Sequence, residues 1–381
     1  MSKLSNVSCY VTEKISVDSI DISEYITTDN LLQNKKGRVI AEKLPTQKVT
    51  RFKKNDILIA NIRPYLKKIW QADIDGGASS DVLVVRPNDV IDYNFLYYAL
   101  TQDSFFEYVM KGSKGTKMPR GDKSQIMNFV IPDLEIDEQI KIGKLLKSID
   151  QKIQINNQIN QELEAMAKTL YDYWFVQFDF PDQNGKPYKS SGGKMVYNPE
   201  LKREIPEGLG VESVGNLLDK VTKAEKIENN SIEFIGEIPV IDQSQKYIAG
   251  FTNNENAILQ PQDGHVIFGD HTRVVKYINF DYARGADGTQ VLISNNENIS
   301  NVLLYHMIED FDLSNYGYAR HFKFLKEKTV IVPDKEVSSK FETQANVIYE
   351  KIKNNIFENQ ELTQLRDWLL PMLMNGQVKV E

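Results

Sequence analysis

The segment "DEQIKIGKLLKSIDQKIQINNQINQELEAMAKTLYDYWF" places Ile142, Ile149, Asn156, Leu163 and Leu170 at a strict seven-residue spacing, with Leu146, Ile153, Asn160, Ala167 and Trp174 four residues after each. Apolar heptads of this kind predict one seam of a coiled coil. About 200 residues later, "SSKFETQANVIYEKIKNNIFENQELTQLRDWLLPMLMNG" repeats the pattern. Here Phe341, Ile348, Asn355, Leu362 and Leu369 are accompanied by Ala345, Ile352, Asn359, Arg366 and Leu373. Each segment predicts a helix of about 39 residues, or about 58 Å at about 1.5 Å per residue. An asparagine inside an apolar seam costs stability unless it meets a polar partner, and for that reason it sets register. The two helices are therefore expected to pack on each other, with Asn156, Asn160, Asn355 and Asn359 meeting near the centre of the pair.

The repetition extends upstream of both helices. "NDILIANIRPYLKKIW" corresponds to "DGHVIFGDHTRVVKYIN", each a short apolar strand, a polar turn and a second strand. "GGASSDVLVVRP" then matches "RGADGTQVLIS", "NFLYYAL" matches "NVLLYHMI", and "FVIPDLE" matches "VIVPDKE" immediately before each long helix. The chain reads as two copies of one design. The expected organisation is a first strand-rich domain over 1–135, a long helix over 136–178, a linker over 179–206, a second domain over 207–335, and a second helix with its tail over 336–381. The linker is rich in Gly, Pro, Ser and Lys and reads as ordered-to-loose. The fold class is α+β, with an internal pseudo-two-fold repeat: two mixed strand-rich domains separated by an antiparallel pair of long coiled-coil helices. A parallel pair would make the linker retrace the rod, which about 28 extended residues can span, so it is disfavoured but stays open.

Composition changes the picture little. The chain has 381 residues, 41% hydrophobic and 26% charged, which suits a globular protein of two domains. No stretch reaches the roughly 18 apolar residues of a membrane span, and "MSKLSNVSCY" lacks a secretory h-region, so a cytoplasmic location is expected. Cys9 is the single cysteine, which excludes an internal disulfide framework and a cysteine-based zinc site.

Catalytic signatures are absent. "GSKGTK", "SSGGK" and "GLGVESVG" do not join a strand to a helix at phosphate-loop spacing and read as turns. "YNPEL" lacks the second proline and the aromatic residue of an amino-methyltransferase motif and also reads as a turn. Asp133 and Asp334 stand at the same strand-to-helix junction and suggest helix capping rather than a nuclease cluster. His265, His271, His306 and His321 show no i,i+4 pair, so no metal is expected.

Charge is more informative locally than in sum. The net charge is −7, yet Lys35, Lys36, Arg38, Lys43, Lys48, Arg51, Lys53, Lys54, Arg63, Lys67 and Lys68 are set against only Glu42 and Asp56 across residues 35–68. "MKGSKGTKMPRGDK" adds Lys114, Lys117, Arg120 and Lys123 beside small residues that let a backbone approach a phosphate strand. Its counterpart "NYGYARHFKFLKEK" carries Arg320, His321 and Lys323 with Tyr316, Tyr318 and Phe322. A solvated charged face is the competing reading of these stretches. Their recurrence in both copies favours DNA.

In the order and duplication of these segments, the chain resembles the DNA-specificity subunits of type I restriction-modification enzymes. The likeness covers essentially the whole chain. It is carried by "NDILIANIRPYLKKIW", "GGASSDVLVVRP", "IPDLEIDEQIKIGKLLKSIDQKI", "ELKREIPEGL" and "LRDWLLPMLMNGQVKV". The resemblance implies a non-catalytic subunit with two target recognition domains, each reading half of a split double-stranded DNA target in the major groove, and with the helices acting as a ruler for the unspecified spacer. It also implies two modification subunits and further restriction or motor subunits as partners. S-adenosylmethionine, ATP and Mg2+ would be held by those partners and none by this chain. By position, Arg63, Tyr65, Lys67 and Lys68, and then His271, Arg273 and Lys276, are expected on groove-facing loops. Gln243, Ser244 and Gln245 are expected to hydrogen-bond base edges, since Gln presents a donor and an acceptor to adenine. Two other classes stay open: a coiled-coil adaptor that touches no DNA, and a lone DNA-modifying enzyme.

Overall fold

The computed structural model describes residues 1–381 except 220, 222, 223, 234, 318, 319 and 381, so Tyr318 lies outside the described residues. The chain divides into two compact units. One comprises Met1–Ile155 with Glu358–Glu381, and the other Asn156–Phe357. Each unit thus contains one strand-rich domain together with part of both long helices.

In unit 1 the strand Ile57–Ala60 is buried along its whole length, because both of its faces meet a core. Ile57 and Ile59 join Leu83, Val85, Phe95 and Leu146, while Leu58 and Ala60 join Phe52, Trp70 and Val84. A period of two in side-chain direction turns a continuous apolar run into two separate contacts. The sheet order is Ser8–Tyr10, Val82–Pro87, Ile57–Ala60 and Ile69–Gln71, all antiparallel. Unit 2 repeats the inner part of this sheet with Thr289–Leu292, His265–Gly269 and Val275–Ile278. A second sheet there places Tyr282–Gly285 parallel to both Lys226–Ile227 and Ile238–Ile241. The strands before the long helices, Val130–Ile131 and Thr329–Val332, are each closed by an antiparallel partner from the start of their own repeat, Ser2–Lys3 and Gly210–Ser213.

The long helices run over Ile136–Tyr171, continued by a π-helical turn at Asp172–Val176, and over Lys335–Met374. The heptad positions are the inward ones. Ile142, Leu146, Ile149, Asn156, Asn160, Ala167 and Trp174 are buried on the first helix, as are Phe341, Ala345, Ile352, Asn355 and Leu373 on the second. Within unit 2, the Phe341 ring lies 6.1 Å from Trp174, while Asn355 donates from Nδ2 to Asn160 Oδ1 at 2.8 Å. As the second helix advances, its partner position on the first recedes, so the pair is antiparallel. Unit 1 shows the complementary end, where Lys152 pairs with Glu358 at 3.1 Å and Arg366 with Asp150 at 2.7 Å. The parallel arrangement is excluded.

Asp150 also accepts from the Tyr98 hydroxyl at 2.6 Å, which fastens the domain helix Tyr93–Thr101 to the helix pair. Burial, reinforced by the Asp150 charge, pushes the Tyr98 phenol well above its ordinary range. In unit 2 the equivalent position is held differently, by His306 Nε2 on the Tyr349 hydroxyl at 3.2 Å and His306 Nδ1 on Glu309 at 2.7 Å.

Asn355 is 1% exposed. Replacing Asn355 with Ala leaves the Asn160 carbonyl buried without its donor and should cost about 1–3 kcal/mol. Replacing both asparagines with Leu should be neutral or stabilising. Urea denaturation of the three chains checks this, and an Asn355→Ala chain as stable as wild type would show the pair to be dispensable.

Two expectations are corrected. Asp334 caps the second helix, accepting from Val337 N at 2.8 Å, but Asp133 instead accepts from Ser2 Oγ at 3.4 Å. Residues 179–206 are not loose. Phe180 and Ile205 are buried in the unit 2 core, Asp179 accepts from Ser190 N and Oγ at 2.7 and 2.6 Å, and Met195–Asn198 pairs with Arg203–Pro206. The aromatic and aliphatic residues among the Gly and Lys outweigh the turn-rich composition. "YNPEL" is the turn of that hairpin, with Asn198 Oδ1 accepting from Glu200 N and Leu201 N. No helix among the described residues is long and apolar enough to cross a membrane.

Candidate nucleic-acid interface

In unit 1 three loops distant in sequence are joined by backbone hydrogen bonds. The turn after Ile57–Ala60 reaches the basic stretch 113–121: Arg63 N donates to Pro119 O at 2.8 Å and Gly121 N donates to Asn61 O at 3.1 Å. Its other flank meets residues 34 and 35, whose N–H groups donate to Leu66 O and Lys67 O, both at 2.9 Å. A Cβ on Gly121 would lie 2.9 Å from Asn61 Oδ1 and from a Val109 methyl, so a larger residue here would push these side chains aside. The loops bring Arg63, Tyr65, Lys114, Lys117 and Arg120 into one exposed cluster, with Lys123 opening the short helix beside it.

The backbone here is strained. Asn34, Lys35, Arg63 and Lys67 have φ of 56°, 62°, 52° and 51°, and in unit 2 Arg273 and Asp287 have 64° and 47°. Outside glycine this conformation costs about 1–3 kcal/mol per residue and concentrates where geometry serves a function. Among the described residues, six of the nine non-glycine positions with positive φ lie in these two loop clusters.

Unit 2 builds the same convergence with different residues. The turn after His265–Gly269 is gathered around the buried Asp270, whose carbonyl accepts from His321 N at 2.9 Å and whose carboxylate accepts from Phe322 N at 2.8 Å. Asp270 N donates to Gly288 O at 2.7 Å. His271, Arg273, Arg320 and Lys323 stay exposed around this hub.

Several sequence candidates take other roles. Lys276 is 5% exposed; its ammonium donates to Asp242 O and Lys246 O, and burial pulls it down to about 8 although Asp242 opposes the shift. It is an internal brace. Gln243 has both ends of its amide engaged, Nε2 on Asp287 O at 2.8 Å and Oε1 accepting from His271 N at 3.1 Å, so it shapes the loop from behind. Ser244 Oγ bonds Asp242 at 2.6 Å, whereas Gln245 is exposed. His321 is buried against Asp270 O at 3.0 Å. Lys68 donates to Thr28 O, and Lys67 pairs with Asp103 at 2.9 Å. Lys53 and Lys54 lie at the opposite end of Ile57–Ala60, roughly 13 Å of strand from the tip. Tyr316 stacks on Phe324 at 3.9 Å rather than standing free.

Asp270 and Asp103 escape a search of the sequence for basic residues, because both are acidic. Asp270 does carry a signal, the "GDHTR" turn at the strand end. Among the described residues, no group of three or more His, Cys, Asp and Glu is placed to hold a metal ion.

Both units thus present a strained, basic loop cluster on a mixed helix and strand scaffold. Residues 11–165 match the family described as type I restriction modification DNA specificity domain. The chain is 26% identical over 326 residues to the type I restriction enzyme MjaIX specificity subunit of Methanocaldococcus jannaschii, covering 78% of this chain and 72% of that one. It is 25% identical to the HindI specificity subunit of Haemophilus influenzae, covering 98% of both. Over most of its length the chain is thus similar to specificity subunits of type I restriction-modification systems. Its fold is that of the S subunit from M. genitalium, with a TM-score of 0.59 at 17% identity, covering 98% of this chain and 95% of the other.

Proposed function

We propose that this chain selects the DNA sequence for a type I restriction-modification complex by reading a split target, one half with each loop cluster. The observation that carries this reading is the repeated junction of a hairpin tip with a segment that follows Asp103–Lys111 in unit 1, residues 119–121, and Asn301–Ile308 in unit 2, residues 321–322. In both units it projects Arg, Lys, His or Tyr from a rigid sheet. The cationic side chains would position phosphates, and Arg63, Tyr65, His271, Arg273 and Gln245 would reach base edges in the major groove. The continuous antiparallel helices would set the spacer between the half-sites. Their outer faces would hold modification subunits, and restriction or motor subunits would join that assembly. The chain would contribute no reacting group, and S-adenosylmethionine, ATP and Mg2+ would sit on its partners.

The test is domain exchange. Replacing 207–335 with the corresponding domain of a relative should change the methylated bases of one half-site and leave the other half-site and the spacer as they were. Methylome sequencing of cells that carry the modification subunit reads this directly. A change in both half-sites from a folded exchange chain would replace two readers with one composite surface.

A further inference from the structure

We propose that Asp103 is a specificity-determining residue of the unit 1 loop cluster, whose carboxylate engages Lys35 and Lys67 and withholds them from the phosphates of DNA of arbitrary sequence. The inference rests on the DNA-binding reading above and deepens it.

Both ammonium groups converge on one oxygen, with Lys35 Nζ at 2.8 Å and Lys67 Nζ at 2.9 Å from Asp103 Oδ1. Their backbones are already joined, since Lys35 N donates to Lys67 O at 2.9 Å, and both residues hold left-handed φ to make that pairing. Asp103 opens the helix Asp103–Lys111, where the aligned peptide dipoles favour a negative charge. Partial burial works against its ionisation, but hydrogen bonds from the two lysines hold its carboxyl below the ordinary value.

The lysine side chains are 30% and 31% exposed, so a phosphate can reach them, unlike Lys276 at 4%. They are reachable but occupied. An incoming phosphate must displace a carboxylate of its own sign. A duplex sliding at random gains little from that exchange, whereas one locked by base-edge contacts keeps a phosphate against the pair until the carboxylate yields. Among the described residues, the unit 2 loop cluster does not repeat this double ion pair, but the acid Asp312 lies within electrostatic reach of its basic residues. Asp312 is held below its ordinary value by Ser314 and then by the charges of Arg273, on the hairpin tip, and Lys328.

The full chain is titrated with a labelled duplex of mixed sequence across a range of salt. Asp103→Asn should free both lysines and steepen the log affinity against log salt slope by up to about 1.8, at about 0.9 per phosphate neutralised, which is ~12-fold more affinity lost between about 50 and 200 mM salt. Asp89→Asn makes the same charge change on an exposed turn at the far end of the sheet and should leave the slope alone. Equal slopes for these two variants would overturn the inference. Adding Lys35→Gln and Lys67→Gln to Asp103→Asn should restore the wild-type slope, and a slope that stays steep would also overturn it. Should Asp103→Asn fail to fold, Asp103→Ser, also suited to a first helical turn, is read by the same two outcomes. A wild-type chain that showed no salt-dependent binding at all would remove the DNA reading itself, whereas wild-type binding with an unmoved Asp103→Asn slope removes only this inference.

Discussion

Replacing Arg63, Lys114, Lys117 and Arg120 together with glutamine is expected to flatten the slope of log affinity against log salt by about 3.6, at about 0.9 for each phosphate no longer neutralised. Between about 50 and 200 mM salt this removes ~150-fold of salt sensitivity. All four side chains are exposed, and backbone pairing of residues 61–63 with 119–121 fixes them on one surface. Two of them have acidic neighbours, Arg120 with Asp81 at 3.3 Å and Lys114 with Asp122 at 3.6 Å. Each is a single contact, longer and with a more exposed cation than the two contacts that converge on Asp103, and contributes about 0–1 kcal/mol, too little to keep a phosphate away. Lys53→Gln with Lys54→Gln, at the other end of the strand, should flatten the slope far less. Filter binding or fluorescence anisotropy across a salt series measures both. An unchanged slope in the fourfold variant would make the cluster an ordinary solvated face.

Phe341→Ala should destabilise unit 2 by about 3–5 kcal/mol, the usual cost of deleting a buried aromatic ring. Phe341 is fully buried at the start of the second long helix, with Phe175, His306, Trp174 and Tyr171 rings 5.3, 5.7, 6.1 and 6.2 Å away. This cluster ties the end of the first helix, the start of the second and the domain helix Asn301–Ile308 into one core. Hydrogen exchange across residues 335–352, together with urea denaturation, would locate the loss. A cost below about 1 kcal/mol would mean that the seam collapses around the missing ring.

The seam and the candidate interface differ in how much of each is legible in the sequence. Heptad spacing alone places Ile142, Leu146, Phe341 and Leu373 inward, because a helix shows the same face every seven residues and apolar side chains at that spacing have one place to go. The duplication is equally legible, since matching strand, turn and helix segments recur in the same order. Turn-rich, basic composition likewise places Arg63, Tyr65, Lys114, Lys117, Arg120, His271 and Arg273 on loops, and the fold leaves all of them exposed.

The fate of Lys276 and His321 is not legible there. A lysine just past a hairpin turn looks like its neighbours until Asp242 and the Lys246 carbonyl, both roughly 30 residues away, are folded around it. Gln243 and Asp270 are hidden in the same way, because their partners at His271, Asp287, His321 and Phe322 come from other segments. By itself the sequence determined the helices, their inward faces, the repeat and the run of positive charge, all properties of local spacing. Only the tertiary structure decided the antiparallel direction of the pair and which polar side chains face outward. Both depend on contacts between segments tens to hundreds of residues apart, and the exposure of a polar group is set by whether those contacts satisfy its hydrogen bonds inside the fold or leave them to solvent and a partner.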